Sequence, residues 1–314
     1  MGIEGIVTRT MSERDAVGCP VCSGDQRAAV LTMHGYVVVR CESCGTQYVH
    51  PMPGAEELRA HYQDPGYFSG ADEQGYRDYD AMRRALVPLF RGRLDEIERA
   101  VGEAGSLLDF GCAAGYFLEL ARERGWRISG VELAEDMAAR AAAALGIDVA
   151  LSLESLAEGD FDVVTLWDVL EHLPEPLTVL RDLRGRLKPG GLLALSTPNA
   201  GHWQAGRDPD NWIHYRPPSH LVYFTACSLE DALVRAGFER VTVRRCAPLP
   251  PLPHWLQRLS RPLERSLGTG QARHWLPALL AWRAVRAIGW GWQKVAFPAD
   301  DVFATLEVYA HRPS

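Results

Sequence analysis

No uninterrupted apolar stretch in this 314-residue chain approaches the roughly 20 residues that cross a bilayer. Its first residues also lack the basic-then-apolar run of an export leader, so a cytoplasmic location is expected. Basic residues are in deficit, 33 against 40 acidic, and the formal charge is −7. A surplus of that sign does not attract a polyanion, and nucleic acid is not expected as a partner. Internal repeats and low-complexity tracts are missing as well. With 47% hydrophobic and 23% charged residues, wholesale disorder, a collagen-like repeat and a disulfide scaffold are all excluded. The length suits one large domain with a small satellite, or two modest domains.

Cysteine is scarce, and its seven copies are not spread evenly. Cys19, Cys22, Cys41 and Cys44 form two C-x2-C pairs with eighteen residues between them. Two residues between cysteines let a tight turn aim both sulfurs at one ion, and two such turns complete a tetrahedron. Pro20 and Gly45 suit those turns, and "RAAVLTMHGYVVVRC" reads as two short strands around Gly35, the plan of a zinc ribbon over residues 1–55. Two disulfides would require an oxidising compartment, and a redox pair would not need a second copy. Four thiolates leave no open coordination position, so the zinc is expected to be structural. So short a segment buries little core, and the metal would carry its fold.

Residues 56–104 form a connector. Tyr62, Tyr67, Phe68, Tyr76 and Tyr79 crowd its first part, and helical periodicity runs through Met82, Leu86, Leu89, Phe90, Leu94 and Ile97. From residue 105 onward the runs "SLLDF", "RISGVE", "DVVTLW" and "GLLALST" read as buried parallel strands. Helices are expected between them near 116–125, 135–145 and 175–187, which predicts a doubly wound α/β sheet.

The first of these strands leads into Asp109-Phe110-Gly111-Cys112-Ala113-Ala114-Gly115, opening a helix at Tyr116. Small residues there let the backbone pass close to a ligand beyond the strand's carboxyl end. Glu132 follows Gly115 by seventeen residues and closes the second strand, where a carboxylate can accept from both hydroxyls of a ribose. The pattern D-x-G-x-x-x-G departs from the G-x-G-x-x-G of nicotinamide sites, so a different nucleoside cofactor is indicated.

The pieces "LLDFGCAAGYFLELARERGWRISGVELAEDM" and "FDVVTLWDVLEHLPEPLTVLRDLRGRLKPGGLLALSTPN" resemble the motifs of class I S-adenosylmethionine-dependent methyltransferases over roughly residues 105–246. With the cysteine cluster in front, the chain resembles methyltransferases of sugar and natural-product pathways. The resemblance implies a seven-stranded, Rossmann-like sheet. It also implies Asp109 and Gly111 near the methionine part of the cofactor, Ala113, Gly115 and Tyr116 along the loop, Glu132 and Leu133 at the ribose, and Asp168 facing cofactor and substrate. Tyr67, Phe68 and Tyr79 would cover the cofactor as a lid, or else belong to the core. Ala113 stands where the family has a middle glycine. Ser152 stands where an acid often meets the adenine.

Methyl transfer from a sulfonium is an in-line displacement that depends on positioning, with a general base useful for a hydroxyl or acidic carbon acceptor. In "YRPPSHLVYFT" His220 is the candidate base, or else a residue that positions its loop; His172 of "DVLEHL" is a second candidate with a structural alternative. Trp203, Trp212, Tyr215 and Arg216 are candidates to line an acceptor pocket, with a packed loop as the alternative for the tryptophans.

Residues 247–299 form an insertion before the last strand, "DVFATLEVYAHR". Between residues 248 and 299, six arginines and Lys294 oppose only Glu264, a local charge of +6 among five tryptophans. "RHWLPALLAWRAVRAIGWGWQKVAF" reads as an amphipathic helix. It is expected to cap the sheet or to form a homodimer surface, with a peripheral membrane contact reaching a lipid-linked substrate as the alternative. The expected function is O-methylation of a sugar, glycolipid or natural-product hydroxyl. C-methylation of a keto-sugar is the nearest alternative. An RNA methyltransferase and a non-catalytic cofactor-binding scaffold complete the range.

Overall fold

The computed structural model describes residues 18–62, 79–156, 159–246 and 275–314. At its N-terminal end β1 (Arg27–Met33) and β2 (Tyr36–Cys41) pair antiparallel across His34–Gly35, whose φ angles are 52° and 84°. Two successive left-handed residues give a two-residue turn whose twist matches that of the strands it joins. β3 (Gln47–Val49) pairs with β2, and the fourth strand of this sheet, β9 (Val222–Tyr223), arrives from far down the chain. The expected ribbon therefore exists as a hairpin with a third strand, but its sheet is completed by the segment that follows His220.

The larger sheet has seven strands. β4 (Ser106–Phe110), β5 (Arg127–Val131), β6 (Val149–Ala150), β7 (Phe161–Trp167) and β8 (Leu187–Pro198) run parallel in the order β8-β7-β4-β5-β6. β10 (Glu239–Cys246) forms the edge, and β11 (Thr305–His311) lies antiparallel between it and β8. Every residue of β7 except Asp162 is buried, as a strand covered on both faces requires. The crossovers carry α3 (Tyr116–Glu123), α4 (Glu135–Leu145) and α5 (Pro176–Arg186), within a residue or two of the expected spans.

In the connector α1 (Ala55–Tyr62) precedes α2 (Tyr79–Val101), which buries Phe90, Leu94 and Ile97 on one face at helical spacing. Short helix α6 (Trp203–Arg207) and α7 (Ala226–Arg235) follow β8 and β9. Thr225 and Ser228 cap α7 reciprocally, each side chain accepting from the other's backbone N–H.

The insertion contributes α8 (Trp275–Ala296), a helix inside the sequence expected to form one. Its C-terminal turn packs on α6: Trp203 Nε1 donates to Gln293 Oε1 at 2.9 Å, and the Trp203 ring stacks on Phe297 with centroids 4.0 Å apart. That end is packed on α6, whereas Ile288, Trp292 and Val295 on the same helix are exposed. Among the described residues no helix is long and apolar enough to cross a membrane. One apolar core runs from Cys19, Val38 and Val49 through Tyr223 to Leu166 and Leu195. The cysteine-bearing sheet and the seven-stranded sheet are thus packed together.

Candidate active site

The carboxyl ends of β4, β5 and β7 bring three acids to one edge. Asp109, near the end of β4, is fully buried and accepts from Thr165 Oγ1 at 2.7 Å. Burial pushes its carboxyl up to about 7, with the Glu132 charge adding to the rise and the Thr165 hydrogen bond opposing it. The loop beyond it turns at Gly111 (φ 81°) and Gly115 (φ 79°). A Cβ at Gly111 would meet Val169 Cγ2 at 2.5 Å, so only glycine fits that position.

Ala113 adopts φ 46°, the left-handed conformation that glycine would take without strain. It is held there by its N–H, which donates to Glu132 Oε2 at 2.9 Å, while Glu132 Oε1 accepts from the N–H of Ala134 at 2.9 Å. Glu132 therefore braces the loop through two backbone donors, a task the sequence did not disclose. With Leu133 N–H acting on it as well, the carboxylate still has acceptor capacity left from its about four sites. Leu133 beside it is exposed, and Tyr116, the first residue of α3, lies 5.0 Å under the Arg83 guanidinium. Ser152 closes a small turn, its hydroxyl accepting from the N–H of Ser155 at 3.2 Å.

Asp168, just after β7, is also left-handed, at φ 56°. Its N–H donates to Ser196 O at 3.0 Å, and Ser196 Oγ donates back to its carboxylate at 2.9 Å. Non-glycine residues held in this region are strained and collect at functional sites. The chain then enters a single 3-10 turn, Leu170–His172, rather than starting a helix at His172. Glu171 on that turn is buried, accepts from Thr197 Oγ1 at 2.9 Å, and is held well above the usual carboxylate range by burial and by the Asp168 charge.

His172 and His220 meet with ring centroids 4.8 Å apart at right angles, and His214 stacks parallel to His220 at 6.2 Å. Nδ1–H of His172 donates to Ser219 O at 2.7 Å, and Nδ1–H of His220 donates to His214 O at 2.8 Å. A carbonyl only accepts, so both Nδ1 atoms carry the proton and Nε2 is the basic nitrogen of each neutral ring. Burial pushes His172 and His214 down to about 4 and holds His220 well below its ordinary value, with the His172, His214 and Arg216 charges adding to the His220 effect. Glu171, His172 and His220 bring one ligand-type atom each within 4.8 Å of one another.

Of the acceptor-side candidates, the two tryptophans take the packed alternative, and Tyr215 is packed with them. Trp212 and Tyr215 are 1% and 2% exposed, packed edge-to-face with centroids 4.5 Å apart, and the Tyr215 hydroxyl donates to Gln47 Oε1. They are core between the two sheets and offer no face to a ligand. Trp203 is engaged by Gln293 and Phe297 and anchors the insertion. Arg216 is half-buried beside the histidines, where its charge helps to keep them neutral. Tyr67 and Phe68 lie outside the described residues, as does the side chain of Tyr79. Sequence reasoning missed Glu171, His214 and Gln47. Of these only Glu171 had a signal, its place beside His172 in the quoted motif.

Away from this edge, Cys19 and Cys44 sulfurs are 3.6 Å apart, Cys22 and Cys41 sulfurs 3.5 Å, and all four lie within 4.8 Å. A tetrahedron with metal–sulfur bonds of about 2.3 Å has edges near 3.8 Å. The N–H of Gly24 points at Cys22 Sγ at 3.4 Å, a donor suited to a thiolate. The four-cysteine arrangement expected from spacing is therefore assembled in three dimensions.

The sequence pattern of the "Methyltransferase domain" family matches residues 79–243, leaving the cysteine-bearing strands and the insertion outside the match. The ubiquinone biosynthesis O-methyltransferase of Xanthomonas campestris pv. campestris is 31% identical over 161 residues, covering 48% of this chain and 67% of the relative. That of Pseudomonas aeruginosa is 36% identical over 117 residues, covering 34% of this chain and 50% of the relative. Among solved structures, phosphoethanolamine N-methyltransferase 2 of Haemonchus contortus superposes with a TM-score of 0.52 at 18% identity, over 92% of this chain and 71% of that one. The [4+2]-cyclase SpnF superposes with a TM-score of 0.51 at 22% identity, over 83% of this chain and 98% of that one. Both likenesses show the fold. With the family match covering half of the chain, the sheet order and the glycine loop settle the assignment: the chain belongs to the methyltransferase-domain family and is a class I S-adenosylmethionine-dependent methyltransferase.

Proposed function

We propose that the chain O-methylates a small molecule bearing an acidic hydroxyl, with His220 as general base. The observation that carries this reading is the state of His220: a buried, neutral imidazole whose Nδ1–H is tied to His214 O, leaving Nε2 to accept a proton. A base held well below its ordinary pKa takes up a proton readily only from an acidic donor. A phenol or an enol therefore fits better than an isolated sugar alcohol. The O-methyltransferase names of the two relatives point the same way.

S-adenosylmethionine, when bound, supplies an electrophilic methyl on a sulfonium. The residues present fit such a group, because its cationic amino-acid end would meet Asp109 and Asp168, and the spare acceptor sites of Glu132 suit ribose hydroxyls. His220 Nε2 would take the acceptor's hydroxyl proton, leaving on the oxygen the electron density that a methyl acceptor needs. His172 and Arg216 keep the site from collecting a second proton, since each disfavours charge on its neighbours. Acceleration comes chiefly from holding the acceptor in line. The four cysteines would hold a structural zinc ion, four thiolates completing its shell.

The test is turnover of phenolic and catecholic acceptors by the full chain and by His220→Ala. Loss of about a hundredfold or more in kcat with cofactor binding intact is expected, the usual worth of a general base. Wild-type turnover in His220→Ala would remove the assignment.

A further inference from the structure

We propose that Gln47 is a positioning residue for His220, so that the cysteine-bearing sheet sets the geometry of the acceptor site; this rests on the reading of His220 as the base. His220 immediately precedes Leu221, whose peptide is gripped from both sides. Leu221 N–H donates to Glu171 O at 2.7 Å, and Leu221 O accepts from Val49 N–H at 2.9 Å. One partner belongs to the turn beside the cofactor edge, the other to β3. Tyr223, on β9, donates its hydroxyl to His220 O at 2.7 Å.

A second route runs through side chains. Gln47 Oε1 accepts from the Tyr215 hydroxyl, and both residues are buried. Tyr215 adjoins His214, whose carbonyl fixes the His220 ring through Nδ1–H. Gln47 thus reaches the imidazole through one hydroxyl and one peptide. At its other end Gln47 follows Thr46, whose carbonyl accepts from Cys41 N–H at 2.9 Å and whose hydroxyl lies 3.3 Å from Cys44 Sγ. The four-cysteine centre, β3 and the His220 loop are consecutive links of one hydrogen-bonded path.

A buried amide at Gln47 is a poor choice for packing alone. Leucine would fill the space without needing a partner, whereas a polar pair penalises every arrangement in which it is unmade. Such a pair selects one placement of the loop. That matters because a displacement of about 1 Å at a reacting group can cost about a hundredfold in rate.

The experiment compares Gln47→Leu, Tyr215→Phe and Gln47→Glu in the metal-loaded full chain. Histidine 15N resonances of the cofactor-free protein report the tautomer and titration of His220 without reference to turnover. Gln47→Leu and Tyr215→Phe should both move those resonances and lower kcat about tenfold or more. The acid limb of the kcat profile should shift, while KM for S-adenosylmethionine stays the same. Gln47→Glu, which still accepts from Tyr215, should restore the wild-type signal. Leu31→Ala, which loosens the hairpin elsewhere, should lower Tm and leave the His220 resonances in place. Unchanged resonances and kcat in both Gln47→Leu and Tyr215→Phe would overturn the proposal, as would an equal displacement in Leu31→Ala. If Gln47→Leu does not fold, Tyr215→Phe alone decides. A His220→Ala enzyme that keeps its turnover would end the base reading separately, with the ring displacement still measured on its own.

Discussion

Replacing Asp109 by asparagine should change how the stability of the cofactor-free protein depends on pH. Asp109 is fully buried, and its carboxyl rises from an ordinary value of 3.8 to about 7. The folded chain therefore keeps a proton that the unfolded chain releases. The stabilisation is fully present below the unfolded value and is lost as pH rises through the folded one, so it disappears between about pH 4 and pH 7. Across that window each step of one in pH removes about 1.4 kcal/mol, which gives about 3 kcal/mol lost between pH 5 and pH 8. At about 2–4 °C per kcal/mol for a domain of this size, that is a fall in Tm on the order of 10 °C.

Other groups titrate in the same range. Glu171 is shifted in the same direction as Asp109 and adds to the decline. His172, His202 and His214, pushed down to about 4, work oppositely: their contribution is present above the unfolded value and lost as pH falls. The measurable quantity is therefore the difference between wild type and Asp109→Asn, from denaturant or thermal unfolding at pH 5, 6, 7 and 8. Asparagine keeps an oxygen for the Thr165 hydroxyl, so the variant removes the titration and little else. The expected difference curve slopes by about 1.4 kcal/mol per pH unit between pH 5 and pH 6, less steeply toward pH 7, and levels off above. Parallel curves would refute the assignment of a raised pKa to Asp109. A second readout follows from the cofactor's ammonium group. Affinity for S-adenosylhomocysteine should increase through pH 7 in the wild type and be level in Asp109→Asn.

Glu132→Gln leaves one of two buried backbone donors facing an amide N–H, which costs about 1–3 kcal/mol; Tm should fall by several degrees in differential scanning fluorimetry even without cofactor. An unchanged Tm would mean that Glu132 does not brace the loop. Gly111→Ala puts a methyl 2.5 Å from Val169 Cγ2 at φ 81°, and should abolish S-adenosylhomocysteine binding by calorimetry or prevent folding. Metal analysis should find about one zinc per chain. Cys41→Ser should lose it together with the β3–β9 seam, seen as faster amide exchange at Val49, which donates to Leu221 O.

The parallel centre of the larger sheet was readable because strands buried on both faces leave short apolar runs in the sequence, as in "SLLDF" and "DVVTLW", whereas its count of seven strands came from the family resemblance. The helices between them were readable from their periodicity, and the four cysteines from their spacing. β9 was not readable in the same way. Two residues cannot display a period of two, and Val222–Tyr223 owes its strand conformation to pairing with Gln47 and Tyr48 from the other end of the chain. The aromatic run Trp212–Tyr215 was equally ambiguous, since a ring against a ligand and a ring against a second sheet have the same sequence. Burial decides between them.

The two sides of the site differ in how they are held, and that explains which residues the sequence revealed. On the side proposed for the cofactor the groups that matter are side chains: Asp109, Glu132 and Asp168 hold hydrogen bonds through their carboxylates, so residue type carries the information. On the side proposed for the acceptor, around His172 and His220, most of the holding groups are peptides. His214 and Ser219 act through carbonyls, and Leu221 acts through both its N–H and its C=O. Any residue supplies a carbonyl, so no choice of side chain marks these positions. The imidazoles of His172 and His220 were visible as residue types, whereas what aims them was visible only as geometry. Tyr223 and Gln47 are exceptions on that side, the first donating its hydroxyl to His220 O and the second, on β3, accepting from the Tyr215 hydroxyl.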